Sequence, residues 1–133
     1  SFHGEHYAFD DMRVLPKPAH PIDVWIGGGS EPAYRRATRA GATGFQLIGL
    51  KPDTVREPIA RLRRDHPDPA TFTISLRWDP QGMDPDEIAR EREGFEAAGV
   101  QHVVAAPWRT DLDSWLRSMD LLAGILGLEG APA

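Results

Sequence analysis

No cysteine occurs anywhere in this chain. Disulfides, thiolate metal sites and a cysteine nucleophile are thereby excluded, and the composition fits a reducing compartment. Asparagine is also missing, which removes every N-glycosylation acceptor. No apolar run approaches the ~20 residues that a spanning helix needs, and no signal peptide precedes the first apolar segment. A cytoplasmic protein is expected. Positive charge is in deficit, with a net charge of −5. Nucleic acid and anionic membrane both call for a basic face, so neither is expected as a partner. Lysine is scarce, two against thirteen arginines, while Ala, Gly and Pro are plentiful, a bias typical of a GC-rich genome.

What remains is an ordinary globular composition, 41% hydrophobic and 26% charged, over 133 residues. That length suits one domain with a real core and not two. The chain begins at Ser1 rather than Met, so a processed product or a piece of something longer is expected.

One stretch organises the rest: Val24-Trp25-Ile26-Gly27-Gly28-Gly29-Ser30-Glu31-Pro32-Ala33. The apolar run Ile22, Val24, Trp25, Ile26 reads as a buried strand. Three glycines follow, then Ser30 as N-cap and Pro32 in the first helical turn. Glycines let a ligand approach the backbone, and the first helical N–H groups lack intrahelical acceptors, so the junction suits an anion. The spacing is not the dinucleotide fingerprint, because Pro32 stands where its third glycine belongs, and no Lys-Ser/Thr pair makes it a Walker loop. The bland alternative is a tight turn that merely joins strand to helix.

Taken in order, residues 1–21 are an extended lead-in, with a short hairpin expected over Phe2–Phe9 and closed at Asp10-Asp11. Pro16, Pro18 and Pro21 keep the path extended. The core, residues 22–128, alternates strand and helix four times. Strands are predicted at about 22–27, 43–48, 71–78 and 100–106. Helices are predicted at about 31–40, from an Asp53 or Thr54 cap to Asp65, over 86–98, and after a cap at Asp111 or Asp113. Residues 129–133 form a tail. Ala33, Ala37 and Ala40 make the inner face of the first helix, with Arg35, Arg36 and Arg39 outside. Val55, Ile59 and Leu62 make one stripe of the second, whose Pro58 marks a late start or a kink. The apolar run Val100–Ala106 reads as a parallel strand covered on both faces. Such alternation implies parallel strands joined by right-handed crossovers. Four units fit either a small doubly wound sheet or half of an eight-unit barrel, and length alone favours the sheet.

Several motifs carry more than periodicity: Phe2-His3-Gly4-Glu5-x-Tyr7-x-Phe9, Leu15-Pro16-Lys17-Pro18, Pro21-Ile22-x-Val24-Trp25-Ile26-Gly27-Gly28, and Ala33-x-Arg35-Arg36-Ala37-x-Arg39-x-Gly41-Ala42-x-Gly44-Phe45. In this order and spacing they resemble the C-terminal half of the luciferase-like monooxygenase family. Ala98-Gly99-Val100-x-His102-Val103-Val104 resembles that family's last strand. The chain departs from the family where Gly-Asp-Gly-Trp is common, carrying Gly41-Ala42-Thr43-Gly44-Phe45 instead, and it lacks the family's long insertion.

The resemblance implies an α/β fold, the last four βα units of a (β/α)8 TIM barrel. It implies an oxidoreductase or monooxygenase using FMN or a deazaflavin (coenzyme F-420), with a small-molecule substrate. A homodimer, or pairing with the missing N-terminal half, follows as the expected assembly, and the half alone is expected to be catalytically incomplete. Gly27, Gly28, Gly29 and Ser30 would hold cofactor phosphate at the barrel mouth. Strand ends at Gln46–Gly49, Arg77–Asp79 and Pro107–Arg109 add Gly49, Arg77 and Arg109 as cofactor-binding candidates, the arginines for phosphate or carboxylates. Trp78 and Trp108 are candidates to stack on a ring, against the commoner reading of packed aromatics. No residue is assigned a catalytic role. A non-catalytic half-barrel module that binds a phosphate-bearing ligand or dimerises is the competing reading. No metal site is expected, since His3 and His6 lack a third ligand. The acidic run from Asp84 to Glu93 complements a helix dipole. Ser30 lacks a nucleophile's Gly-x-Ser-x-Gly context.

Overall fold

The computed structural model describes residues 1–39, 41–105 and 111–128. In chain order the elements are β1 (Phe2–His3), β2 (Ala8–Phe9), β3 (Trp25–Gly27), α1 (Glu31–Arg39), β4 (Gly44–Ile48), α2 (Arg56–Asp65), β5 (Thr73–Trp78), α3 (Pro85–Ala98), β6 (His102–Ala105) and α4 (Leu112–Leu126). Strands β3-β4-β5-β6 form one parallel sheet in sequence order. The lead-in hairpin pairs Phe2 with Phe9 and His3 with Ala8. Its turn is not at Asp10-Asp11. It closes at Gly4–Tyr7, where the Gly4 N–H donates to the Tyr7 carbonyl at 2.8 Å. Asp10 lies past the second strand and takes a hydrogen bond with His3 Nε2 at 3.0 Å.

Local chemistry explains the helix ends. Asp84 caps α3 by accepting from the Glu87 N–H at 2.8 Å, Pro85 opens the first turn, and Gly99 ends it at φ 93°. Asp111 caps α4 in the same way, accepting from the Ser114 N–H at 2.8 Å, and its carboxyl is held below the usual value first by that backbone bond. Helix α2 departs from expectation. Its N-cap is Val55, with no side-chain cap. Thr54 instead bonds back to both backbone groups of Lys51, closing the turn before the helix. Pro58 then falls on the third helical residue, where a missing N–H costs nothing, and no kink is required.

The helices lie on one face of the sheet. Phe45, Ile74, Leu76 and Trp78 point to the same side and are all buried. Tyr34 of α1 stacks on Phe45, and Phe95 of α3 meets Trp78 edge-on. Val55, Ile59 and Leu62 join this core from the α2 segment, and Leu122, Ile125 and Leu126 of α4 pack against it. A doubly wound sheet has helices on both faces. Here the other face carries no helix among the described residues.

Two burial expectations fail for the same reason. Ile22, Val24 and Trp25 are exposed rather than buried, and so are Val103 and Val104. Strands β3 and β6 are the two edges of the sheet, each with one open side, and one face of both is uncovered. Apolar runs there read as two-sided burial, yet among the described residues nothing stands on the second side. Helix α4 likewise has no fully buried residue; Leu112, Trp115, Leu116 and Met119 of its apolar stripe are exposed.

Candidate functional site at the strand ends

Parallel strands deliver all their C-terminal ends to one edge, and that edge gathers the candidate residues. After Gly27 the chain leaves β3 through Gly28 at φ 128°, a backbone shape open to glycine and strained for other residues. The Gly28 N–H donates to the Gln46 carbonyl at 3.3 Å, tying the loop to β4. The Ser30 carbonyl accepts from Ala33 at 2.9 Å and Tyr34 at 3.2 Å, which closes the first turn of α1. The N–H groups of Gly29, Ser30 and Glu31 have no acceptor among the described residues. A Cβ on Gly28 would stand 3.3 Å from the Ala33 Cβ, whereas one on Gly29 would meet nothing within 4 Å. The loop is therefore a cradle of backbone, open on the side of Gly29.

One strand further on, Gly49 turns the chain at φ 67°, and its N–H approaches the Arg77 carbonyl at 3.4 Å. Arg77 pairs in register with Ile48 and Val104 and is exposed. The fold thus brings Gly27, Gly28, Gly29, Ser30, Gly49 and Arg77 to one sheet edge. Arg109 and Trp108 lie outside the described residues. Trp78 does not face a ligand: its Nε1–H donates to Glu91 Oε2 at 2.8 Å, on the helix side, while Glu91 also holds Lys51 at 2.6 Å. No cluster of metal-binding side chains is present among the described residues.

The field at the cradle is set by a pair. Glu31 begins α1 and would repel an anion, but Arg61 reaches it at 2.6 Å. That hydrogen bond is the first cause holding the Glu31 carboxyl below its usual value, with the charges of Arg61 and Arg35 acting the same way. The same guanidinium lies 4.8 Å over the Tyr34 ring. The acid at the helix start is thus compensated, and the unused N–H groups set the local polarity.

Ser75 and His102, to which sequence reasoning gave no site role, line the helix-free face beside Gly27 and Gln46. Register places Gly27, Gln46, Ser75 and His102 on one transverse row. Trp25 lies one pleat below, over Gly44, whose added Cβ would come within 2.9 Å of the indole and of the Thr73 carbonyl. The indole meets the His102 ring edge-on at 5.2 Å. Trp25 and His102 come from the two edge strands, so their side chains, on a twisted sheet, lean towards one another across this face to let the rings meet. The signal was in the sequence: Thr73, Ser75 and Arg77 alternate with Ile74, Leu76 and Trp78, so one face of β5 is polar.

This arrangement, a parallel sheet with one helix layer and glycine turns at its C-terminal edge, defines an α/β scaffold with Gln46, Ser75, Arg77 and His102 on the helix-free side. The chain belongs to the luciferase-like monooxygenase family, whose family model matches residues 1–98, ending with α3. It is 40% identical over 103 residues to uncharacterized proteins of Mycobacterium tuberculosis H37Rv (Rv0940c) and Mycobacterium bovis (Mb0965c), covering 77% of this chain and 31% of each relative. The chain spans about a third of the length of these curated relatives.

Proposed function

We propose that the chain is the C-terminal, cofactor-phosphate-holding half of a (β/α)8 oxidoreductase that uses FMN or a deazaflavin (coenzyme F-420). The observation that supports this best is the juxtaposition of a helix-free sheet face with a backbone cradle at its C-terminal edge. Catalytic sites of (β/α)8 enzymes occupy that edge. The cradle fits a phosphate: three N–H groups lack acceptors among the described residues, Glu31 is compensated by Arg61, and Gly29 leaves room for close approach. The flavin or deazaflavin ring supplies hydride transfer when bound. The residues of this chain bind and orient. Gly27–Ser30 hold the anion through backbone N–H groups, Gly49 keeps the neighbouring turn bare, and Arg77 adds a cation at the same edge. Half of the strand ends of a barrel are not in this chain, so the 133 residues alone are expected to turn over no substrate.

The test is Gly28→Val in the natural full-length protein carrying this sequence. A side chain at φ 128° strains the loop and crowds Ala33. Binding of FMN or the deazaflavin should weaken about tenfold or more, the scale of a lost hydrogen bond to a charged group. Arg64→Ala, on the exposed side of α2, should leave binding and folding unchanged. Equal cofactor affinity in folded Gly28→Val would overturn the assignment.

A second reading has its own support. Strands β3 and β6 are both unpaired edges, and Val24, Trp25, Val103 and Val104 are exposed along them. A non-catalytic half-barrel that dimerises, or docks on another half, would cover them. Sedimentation of the 133-residue chain separates the cases: a monomer that binds neither cofactor nor phosphate removes this reading.

A further inference from the structure

We propose that Gln46 and His102 form a second polar subsite on the helix-free face, one that takes the lactam edge (adjacent C=O and N–H) of a planar heteroaromatic ring, with Ser75 as the positioning residue. The proposal rests on the cofactor reading above and locates the ring rather than the phosphate.

Both residues stand on the row Gly27–Gln46–Ser75–His102. The Gln46 backbone carbonyl is occupied by Gly28, but its half-buried side-chain amide has no hydrogen-bond partner among the described residues. An amide presents one acceptor and one donor group side by side. That pair matches a lactam edge in two parallel hydrogen bonds, whereas a carboxylate or phosphate ligand would leave the amide oxygen opposed.

The imidazole is fixed from two sides. His102 Nδ1 is hydrogen-bonded to Ser75 Oγ at 3.0 Å, and Ser75 has no exposed surface. The ring also rests against Trp25. A hydroxyl can donate or accept, so Ser75 holds the ring in either tautomer. His102 Nε2 is left with no protein partner among the described residues, free to donate or accept in turn. The ground beside Gln46 is bare, because an added Cβ on Gly27 would meet only the Gln46 carbonyl, at 3.9 Å. Trp25, Ile48 and Val104 border the row with exposed apolar surface. Polar groups that match a ring edge, set in apolar borders, are the chemistry of a heteroaromatic site.

The experiment uses the natural full-length protein and two phosphate-free rings, riboflavin and its 5-deaza counterpart, titrated by fluorescence beside FMN and coenzyme F-420. Gln46→Leu and His102→Leu should each weaken the ring compounds about three- to tenfold, the worth of one or two hydrogen bonds. Gly28→Val should weaken only the phosphorylated ligands. Gln46→Glu, which keeps the size but opposes the lactam carbonyl, repeats the loss where Gln46→Leu folds poorly. Ser75→Ala should shift the His102 ring nitrogen-15 resonances at unchanged melting temperature, and weaken the ring compounds too. If Gln46→Leu, Gln46→Glu and His102→Leu all bind both rings as tightly as the parent, the subsite is wrong. If FMN or coenzyme F-420 binding then still falls in Gly28→Val, the cofactor reading stands without it. A parent that binds none of the four ligands overturns both.

Discussion

The two faces of the four-stranded sheet are built by opposite rules. On the helix side, Phe45, Leu47, Ile74, Leu76 and Trp78 are packed by four helices to almost no exposure. On the other side the strands present Trp25, Gly27, Gly44, Gln46, Ile48, Ser75, Arg77, His102 and Val104, a mixture of bare glycine, polar groups and exposed apolar surface. Adjacent residues on one strand therefore live in different solvents. The packed face carries stability. The open face is packed only locally, Trp25 over Gly44 and against His102, and leaves Ile48, Arg77 and Val104 exposed.

The largest expected effect breaks the packed face. Leu47 of β4 is 1% exposed, on the helix side of the sheet. Leu47→Ala should destabilise by about 2–5 kcal/mol, the lost transfer term plus the cavity left behind. Chemical denaturation of this chain measures it. A loss under 1 kcal/mol would mean that the helix layer is not docked as described.

A smaller effect is expected where the open face is tightest. Gly44→Val would place a Cβ 2.9 Å from the Thr73 carbonyl and from the Trp25 ring. The indole can swing out, but the backbone of β5 cannot, so the cost should be about 1–3 kcal/mol of overpacking. Gly29→Ala, with nothing within 4 Å, should leave the melting temperature in place. Equal melting temperatures for all three proteins would show that the β5 backbone does not stand this close to Gly44.

Much of this fold was legible because βα alternation, glycine stops and Asp caps are local signals. Asp111, Gly99 and the Val55/Ile59/Leu62 stripe each say their role within a few residues, whereas Asp84, the actual cap of α3, stood two residues before the predicted start. Burial was less legible, because it depends on which strand is an edge. Val100–Ala106 and Ile22–Ile26 look like core strands from composition, yet β6 and β3 border the sheet. The site was half legible. Glycines after a strand mark a loop by themselves, but Gln46, Ser75 and His102 come together only through register, across 56 residues of chain. The hairpin turn was misplaced because Asp10-Asp11 is a turn-rich pair, while Gly4–Tyr7 closes the shorter loop between the two strands. One departure from the family's pattern finds its reason in packing. Ala42 is buried, so a carboxylate in its place would be taken out of water, and its backbone carbonyl is hydrogen-bonded to His66 Nε2 at 3.0 Å. Phe45 fills its site by stacking on Tyr34.

The smallest expected effect sharpens the comparison most. Ile48 follows Leu47 directly and points to the other face, at 52% exposure. Removing an exposed side chain away from caps and buried groups usually changes stability by less than about 0.5 kcal/mol. Ile48→Ser in this chain should therefore be close to silent, while Leu47→Ala is severe. The same pair in the natural full-length protein tests what stands over the open face. If other strands complete a barrel, the polar hydroxyl at Ile48 enters a partly enclosed interior. The substitution should then cost about 1–3 kcal/mol that it does not cost here. If the open face stays in water, Ile48→Ser remains silent in both. Denaturation of four proteins, two variants in two chain lengths, reads this directly, and a silent Ile48→Ser in the longer chain would remove closure over this part of the sheet.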